Sequence, residues 1–208
     1  MNTLLQMIES LKKSEISGLI GDRMTQFSKI KENGIAEVFK ELCFCIMTAN
    51  CGAEKCIEIH EKIGNEFMIL NEESLANKFK EYGYRFPNIR STYIINARDY
   101  LNELEYKIRH GLDEIELRDW LVKQVKGLGY KEASHFLRNI GYKNLAIVDF
   151  HIIDVLTKHN LIEKPKNINK KHYLEIEKLL INIGDKLNLN LAELDLYLWY
   201  LETGKILK

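Results

Sequence analysis

Helical periodicity runs through almost the whole chain, and only two prolines, Pro87 and Pro165, interrupt it. Apolar residues return at i, i+3 and i+4 in one segment after another, most clearly at Val38, Phe39, Leu42, Cys43, Ile46 and Met47. That is the period of a helix with one buried face. Leu, Ile, Lys and Glu recur throughout, and these residues cost a helix little. No strand pattern, internal repeat or low-complexity segment stands out, so the expected fold class is all-α. Expected helices span residues 3–11, 16–31, 35–49, 54–63, 73–82, 88–109, 117–126, 130–140, 170–183 and 191–203, with one more opening at Phe150. The breaks are chemical: Asn33-Gly34, the loop Tyr82-Gly83-Tyr84-Arg85-Phe86 before Pro87, and the turn Gly141-Tyr142-Lys143-Asn144. Asp149 closes the short apolar run Leu145-Ala146-Ile147-Val148 and is placed to cap the helix that follows.

Gly127-Leu128-Gly129-Tyr130-Lys131 lies between two helical patterns and is the most informative stretch. Two glycines one residue apart allow a hairpin too tight for residues with side chains, with backbone N–H groups facing outward. Those amides sit where a helix begins, and unpaired donors with the positive dipole end favour a phosphate. Lys131 follows the hairpin, and Asp149, eighteen residues later, opens the next helix. An amine beside a phosphate clamp, with a carboxylate near it in sequence, suggests nucleophilic chemistry on a nucleotide.

At 208 residues the chain forms one domain or two small ones, and 46% apolar with 29% charged residues is a globular composition. No apolar run approaches a bilayer span and no signal-peptide pattern is read at the start, so an intracellular protein is expected. Net charge is zero, but from Arg118 to Lys143 six basic residues (Arg118, Lys123, Lys126, Lys131, Arg138, Lys143) face two acidic ones (Asp119, Glu132). A basic face on a neutral protein can still hold DNA. Cys43, Cys45, Cys51 and Cys56 fall within fourteen residues, yet no Cys-x2-Cys pair is among them. They read as small buried thiols, and no metal site is expected.

The run from Val125 to Ser134, followed by Val148-Asp149-Phe150-His151, resembles the helix-hairpin-helix DNA glycosylases. Within them it looks most like the bifunctional 8-oxoguanine DNA glycosylase/lyases of a second, mostly archaeal group. The resemblance implies a helical barrel over residues 35–140, with the helix-hairpin-helix at about 117–140. Residues 1–34 and 141–208 would form a second helical domain, with the substrate cleft between the two. Some relatives carry an iron–sulfur cluster near the C-terminus. No cysteine follows Cys56, so no cluster and no cofactor is expected.

The resemblance also assigns roles. Lys131 would attack C1′ of the damaged nucleoside, and its helix N-terminus, neighbouring cations and partial burial are expected to disfavour the ammonium. Asp149 would stabilise the positive charge developing on the sugar, whether or not it also caps its helix. Lys126, Gly127, Leu128, Gly129 and His151 would contact the DNA backbone. Asn50 would face the orphaned base or simply end its helix, and Arg85 and Phe86 would form the wedge. Trp199, His135 and Lys208 would line the base pocket. The implied partner is double-stranded DNA containing an oxidised purine, bound by a monomer away from any membrane. Two alternatives stay open: a related glycosylase for oxidised pyrimidines or mismatches, and a non-catalytic DNA-binding module.

Overall fold

The computed structural model describes residues Met1–Lys208 and contains α-helices and short 3-10 turns, with no strand. The all-α expectation holds. Helices α1 (Asn2–Lys12) and α2 (Ile16–Glu32) open the chain and lead into α3 (Ile35–Thr48). Every residue of α3 from Glu41 to Thr48 is buried, because the apolar stripe read from the sequence is surrounded on all sides. Packed around it are α4 (Ala53–Ile63), α6 (Pro87–Ala97), α7 (Leu101–Arg109) and α9 (Tyr130–Asn139), with α5 (Glu72–Glu81) laid on α6 and α8 (Glu114–Gln124) on α9. Then follow α10 (Phe150–Lys158), α11 (Lys170–Leu187) and α12 (Leu191–Thr203).

Buried apolar residues gather into two cores. One contains 27 residues between Val38 and Leu145, centred on α3 and α9. The other contains 21 and draws on both ends of the chain, from Leu4 to Phe27 and from Ala146 to Leu198. Two buried ion pairs stitch the seam. Arg118 of α8 makes a two-pronged bond to Glu177 of α11, at 2.6 and 2.9 Å. Arg138 of α9 pairs with Asp195 of α12. Both arginines had been counted toward the basic face; buried and neutralised, they take no part in it. The pairs avoid the cost of lone buried charges because further polar groups complete them. Ser134 joins Arg118 at 3.2 Å, and Asn139 joins Arg138 at 3.0 Å and Glu41 at 3.0 Å.

Three helices depart from expectation. The single helix over 88–109 is broken by a 3-10 turn, Arg98–Tyr100, where the Arg98 guanidinium is captured by the Phe67 carbonyl at 2.6 and 3.0 Å. That long-range anchor leaves no trace in local periodicity. Helix α8 starts three residues early because Asp113 caps it, accepting from the Ile115 amide at 2.9 Å. Helix α11 runs on to Leu187, where Asn188 takes up the left-handed conformation (φ 51°) and ends it. The thiols of Cys43, Cys45 and Cys56 are buried as read, whereas Cys51 is partly exposed and lines the cleft described next.

Candidate active site

The hairpin between α8 and α9 needs only one of its two glycines for backbone reasons. Gly127 has φ +89°, and a Cβ there would lie 2.5 Å from the Tyr93 ring. Gly129 has φ −91°, which other residues adopt freely, and a Cβ there would sit 3.2 Å from a Glu132 oxygen. The amides also depart from expectation. Leu128 is buried and its N–H donates inward to the Val125 carbonyl at 3.3 Å. The Gly129 N–H donates to Oε2 of Glu132 at 3.2 Å. The other oxygen of that carboxylate, Oε1, lies 3.1 Å from Nζ of Lys131. An acidic side chain therefore stands beside the lysine for which the sequence suggested cationic neighbours.

Asp149 is the N-cap of α10, its Oδ1 accepting from the Ile152 amide at 2.9 Å. Burial pushes its carboxyl up, while the Ile152 amide and the nearby Lys131 charge pull it down. Lys131 and Asp149 line one cleft of about 640 Å³ that runs between the two cores. Asn50, Gly129, His135, His151, Trp199 and Lys208 line it too, whereas Lys126, Gly127, Leu128, Arg85 and Phe86 lie outside it. The helix starts of α9 and α10 thus bring the two chemical groups together across the seam.

The cleft walls are aromatic. His151 meets the Trp199 ring edge-on at 4.4 Å, and Phe150, 66% exposed, leans on His151 at 4.0 Å. Nε1 of Trp199 and Nε2 of His135 are buried without a hydrogen-bond partner. Burial keeps His135 uncharged, and its ring stands edge-on to Phe44 at 5.7 Å. Buried ring nitrogens without a protein partner beside a cleft suit the recognition of a polar, flat group.

Lys208 reaches the cleft with its ammonium already engaged. Nζ lies 2.7 Å from Glu41 Oε1, 3.1 Å from His60 Nδ1 and 4.5 Å above the Phe44 ring. Since an ammonium only donates and the Lys40 carbonyl 3.0 Å from Nε2 only accepts, His60 must carry its proton on Nε2. Burial first, and the Lys208 charge second, push the His60 ring down to about 4. Glu41 then continues through Asn139 and Arg138 to Asp195, whose carboxyl burial pushes up to about 6.

Asn50 sits just past the end of α3 in the left-handed conformation (φ 61°), exposed at the cleft edge. The carbonyls before it are pinned: Tyr84 O–H donates to Met47 at 2.7 Å and Arg90 to Ala49 at 2.9 Å. Phe86 is half-buried, with the Arg85 and Arg90 guanidinium groups 4.9 and 5.6 Å from its ring centre, while Arg85 is exposed. Arg90 thus ties the Phe86 loop to the turn at Asn50, although the two are far apart in sequence.

The chain matches the Ogg-HhH family, 8-oxoguanine DNA glycosylase, over residues 20–189. It is 48% identical to the 8-oxoguanine DNA glycosylase/AP lyase of Methanocaldococcus jannaschii over 206 residues, covering 99% of each chain. The enzyme of that name from Korarchaeum cryptofilum is also 48% identical, with 99% of this chain and 98% of the relative covered. This protein belongs to the Ogg-HhH family. The M. jannaschii 8-oxoguanine glycosylase/lyase, solved in complex with 15mer DNA containing 8-oxoguanine, superposes with a TM-score of 0.95 at 47% identity, covering 99% of this chain and all of that one. The 8-oxoguanine DNA glycosylase of Thermotoga maritima gives 0.93 at 38% identity, covering 100% of this chain and 99% of that one.

Within this Ogg-HhH chain, sequence reasoning passed over Glu41, His60, Glu132 and Asp195. Glu41 was detectable directly before the apolar run Leu42–Met47, and Asp195 between Leu194 and Leu196, since a carboxylate there needs a partner. Glu132 stands at capping-box distance from Gly129, a spacing that predicts its bond to the Gly129 amide. His60 carried no local signal.

Proposed function

We propose that this protein removes 8-oxoguanine from duplex DNA and cuts the resulting abasic strand through a Schiff base on Lys131. The observation that carries the reading is the shared cleft: an amine and a half-buried carboxylate that feels its charge line it from two helix starts, between aromatic walls with unsatisfied ring nitrogens. Deprotonated Lys131 Nζ attacks C1′, the bond to the base breaks, and its electron pair leaves with the base, which takes up a proton. The sugar ring opens to the Schiff base. Loss of a C2′ proton then expels the 3′ phosphate by β-elimination. Neither step requires a metal or organic cofactor.

Asp149 supplies negative charge where the sugar becomes positive, and its cap to Ile152 fixes the direction in which that charge points. Trp199 and His135 offer a stacking face and ring nitrogens to the extruded base, and Lys208 closes the floor. Asn50 with Arg85 and Phe86, linked through Arg90, fill the gap left in the duplex on this reading. Lys126, the Gly127 and Gly129 backbone and His151 hold backbone phosphates, positioning the strand without reading sequence, while Leu128 packs inward as the hairpin's anchor. Residues 35–140 act as the barrel domain, residues 1–34 with 141–208 as the second. The protein works as a monomer on DNA inside the cell. No helix is long and apolar enough to cross a membrane.

Borohydride trapping on duplex DNA carrying one 8-oxoguanine tests this, comparing the native protein with Lys131→Gln. A covalent complex formed only by the native protein establishes lesion and nucleophile together. Trapping on abasic DNA alone would keep the lyase and reassign the base. Trapping that survives Lys131→Gln would remove the lysine from its role.

A further inference from the structure

Glu132 makes two contacts that the proposed reaction must undo. Its carboxylate spans the hairpin, Oε2 at 3.2 Å from the Gly129 N–H and Oε1 at 3.1 Å from Nζ of Lys131. The first places an anion on the amide that a helix N-terminus would otherwise present to a phosphate oxygen. The second pairs the lysine with a negative charge, and a paired ammonium has no lone pair with which to attack C1′. The side chains are 27% and 13% exposed, so the pair sits at the cleft surface, where water can take over either partner.

We propose that Glu132 is an internal stand-in for DNA phosphate, and that strand binding displaces it from Gly129 and Lys131 together. A backbone phosphate offers the Gly129 amide a stronger acceptor and repels the carboxylate beside it. Glu132 swings away into solvent and Lys131 is left facing the sugar and Asp149. Arming the lysine and seating the strand thereby become one event, and Lys131 stays paired in the absence of DNA. Glu132 is a positioning residue on this account, acting through Lys131. The inference rests on the reading of Lys131 as nucleophile. Other titratable groups whose fields reach Lys131 are Asp149 from α10, His135 from its own helix, and Cys45 and Cys56 from α3 and α4.

The test uses Glu132→Gln, whose amide oxygen still caps Gly129 but carries no charge. In the free protein, acylation of Lys131 by a water-soluble amine reagent at fixed pH, followed by peptide mapping, should rise about twofold to fivefold as the ion pair that shields the amine is lost. Affinity for undamaged duplex should rise about threefold to tenfold, well beyond the change in Glu73→Gln, which removes the same charge from an exposed position on α5. Faster acylation with affinity no better than Glu73→Gln would mean the carboxylate stays put when DNA binds, which overturns displacement. Unchanged acylation would overturn the pairing, and weaker DNA binding would make Glu132 a support of the hairpin instead. Should the Gln variant be unstable, Glu132→Asp, one methylene too short to span both partners, gives the same readouts at smaller size. Acylation is read without turnover, so its outcome stands apart from that of trapping with Lys131→Gln.

Discussion

Helix α9 carries two ion pairs two turns apart, and they behave as different kinds of object. Arg138–Asp195 has side chains 6% and 8% exposed and is completed by Asn139. Lys131–Glu132 lies at the cleft mouth, 27% and 13% exposed, and shares its carboxylate with one backbone amide. Breaking the buried pair leaves a charge with nowhere to go, so it is fixed for the life of the fold. The cleft pair can exchange either partner for water or ligand at little cost. The same chemistry thus gives a rivet at one end of the helix and a movable contact at the other. Burial decides which.

The largest effects should fall on the cleft side and leave stability alone. Lys131→Gln should abolish borohydride trapping with no more than a small change in melting temperature. Asp149→Asn keeps the cap to Ile152 through its amide oxygen but removes the charge. Its single-turnover excision rate should fall by about a hundredfold to a thousandfold, while the far-UV circular dichroism melt stays in place. A fall in rate matched by a collapse in melting temperature would show that the cap, not the charge, was the main contribution.

At the riveted end the pattern should reverse. Arg138→Leu strands Asp195 and Asn139 in the seam, and such losses cost about 3–5 kcal/mol. For a chain of this size that corresponds to a fall of roughly 10 °C in melting temperature. The residual folded protein, assayed well below that temperature, should still trap abasic DNA. A variant that melts like the native protein yet fails to trap would place Arg138 in the cleft chemistry and erase the contrast between the two pairs.

The contrast also marks what the sequence could and could not tell. Periodicity located nearly every helix, because the apolar stripe of α3, the cap at Asp149 and the hairpin glycines are local signals. The hairpin lysine and the aspartate that caps α10 were legible for the same reason, each sitting at a helix start. Burial of charge was not legible. Arg118 and Arg138 looked like part of a DNA-binding face, and only the partners Glu177 and Asp195, 59 and 57 residues away, reveal them as internal. The break at Arg98 and the Lys208–Glu41–His60 cluster depend on contacts of the same long range. Local rules fix where elements begin; which side chains meet is settled by packing between elements.

His60 offers the smallest and most specific test of that packing. In the unfolded chain its ring takes up a proton near pH 6.5, whereas in the fold, buried beside the Lys208 ammonium, it does so only near 4. Between these values the unfolded state binds more protons, so stability falls as pH drops from about 6.5 to about 4, by up to roughly 3 kcal/mol. Asp195 works in the opposite sense. Its carboxyl is raised to about 6, the folded state holds the extra proton, and its contribution improves on acidification over nearly the same range. The slope for the native protein is therefore a difference, and the informative quantity is its change on substitution. In His60→Gln the amide can still donate to the Lys40 carbonyl, and no ionisable ring remains. Melting temperature plotted against pH should tilt toward greater stability between 6.5 and 4 relative to the native protein, because the Asp195 contribution is then unopposed, with little change at pH 8. An unchanged slope would mean that the ring protonates freely in the fold, and that Lys208 is not held against it in solution.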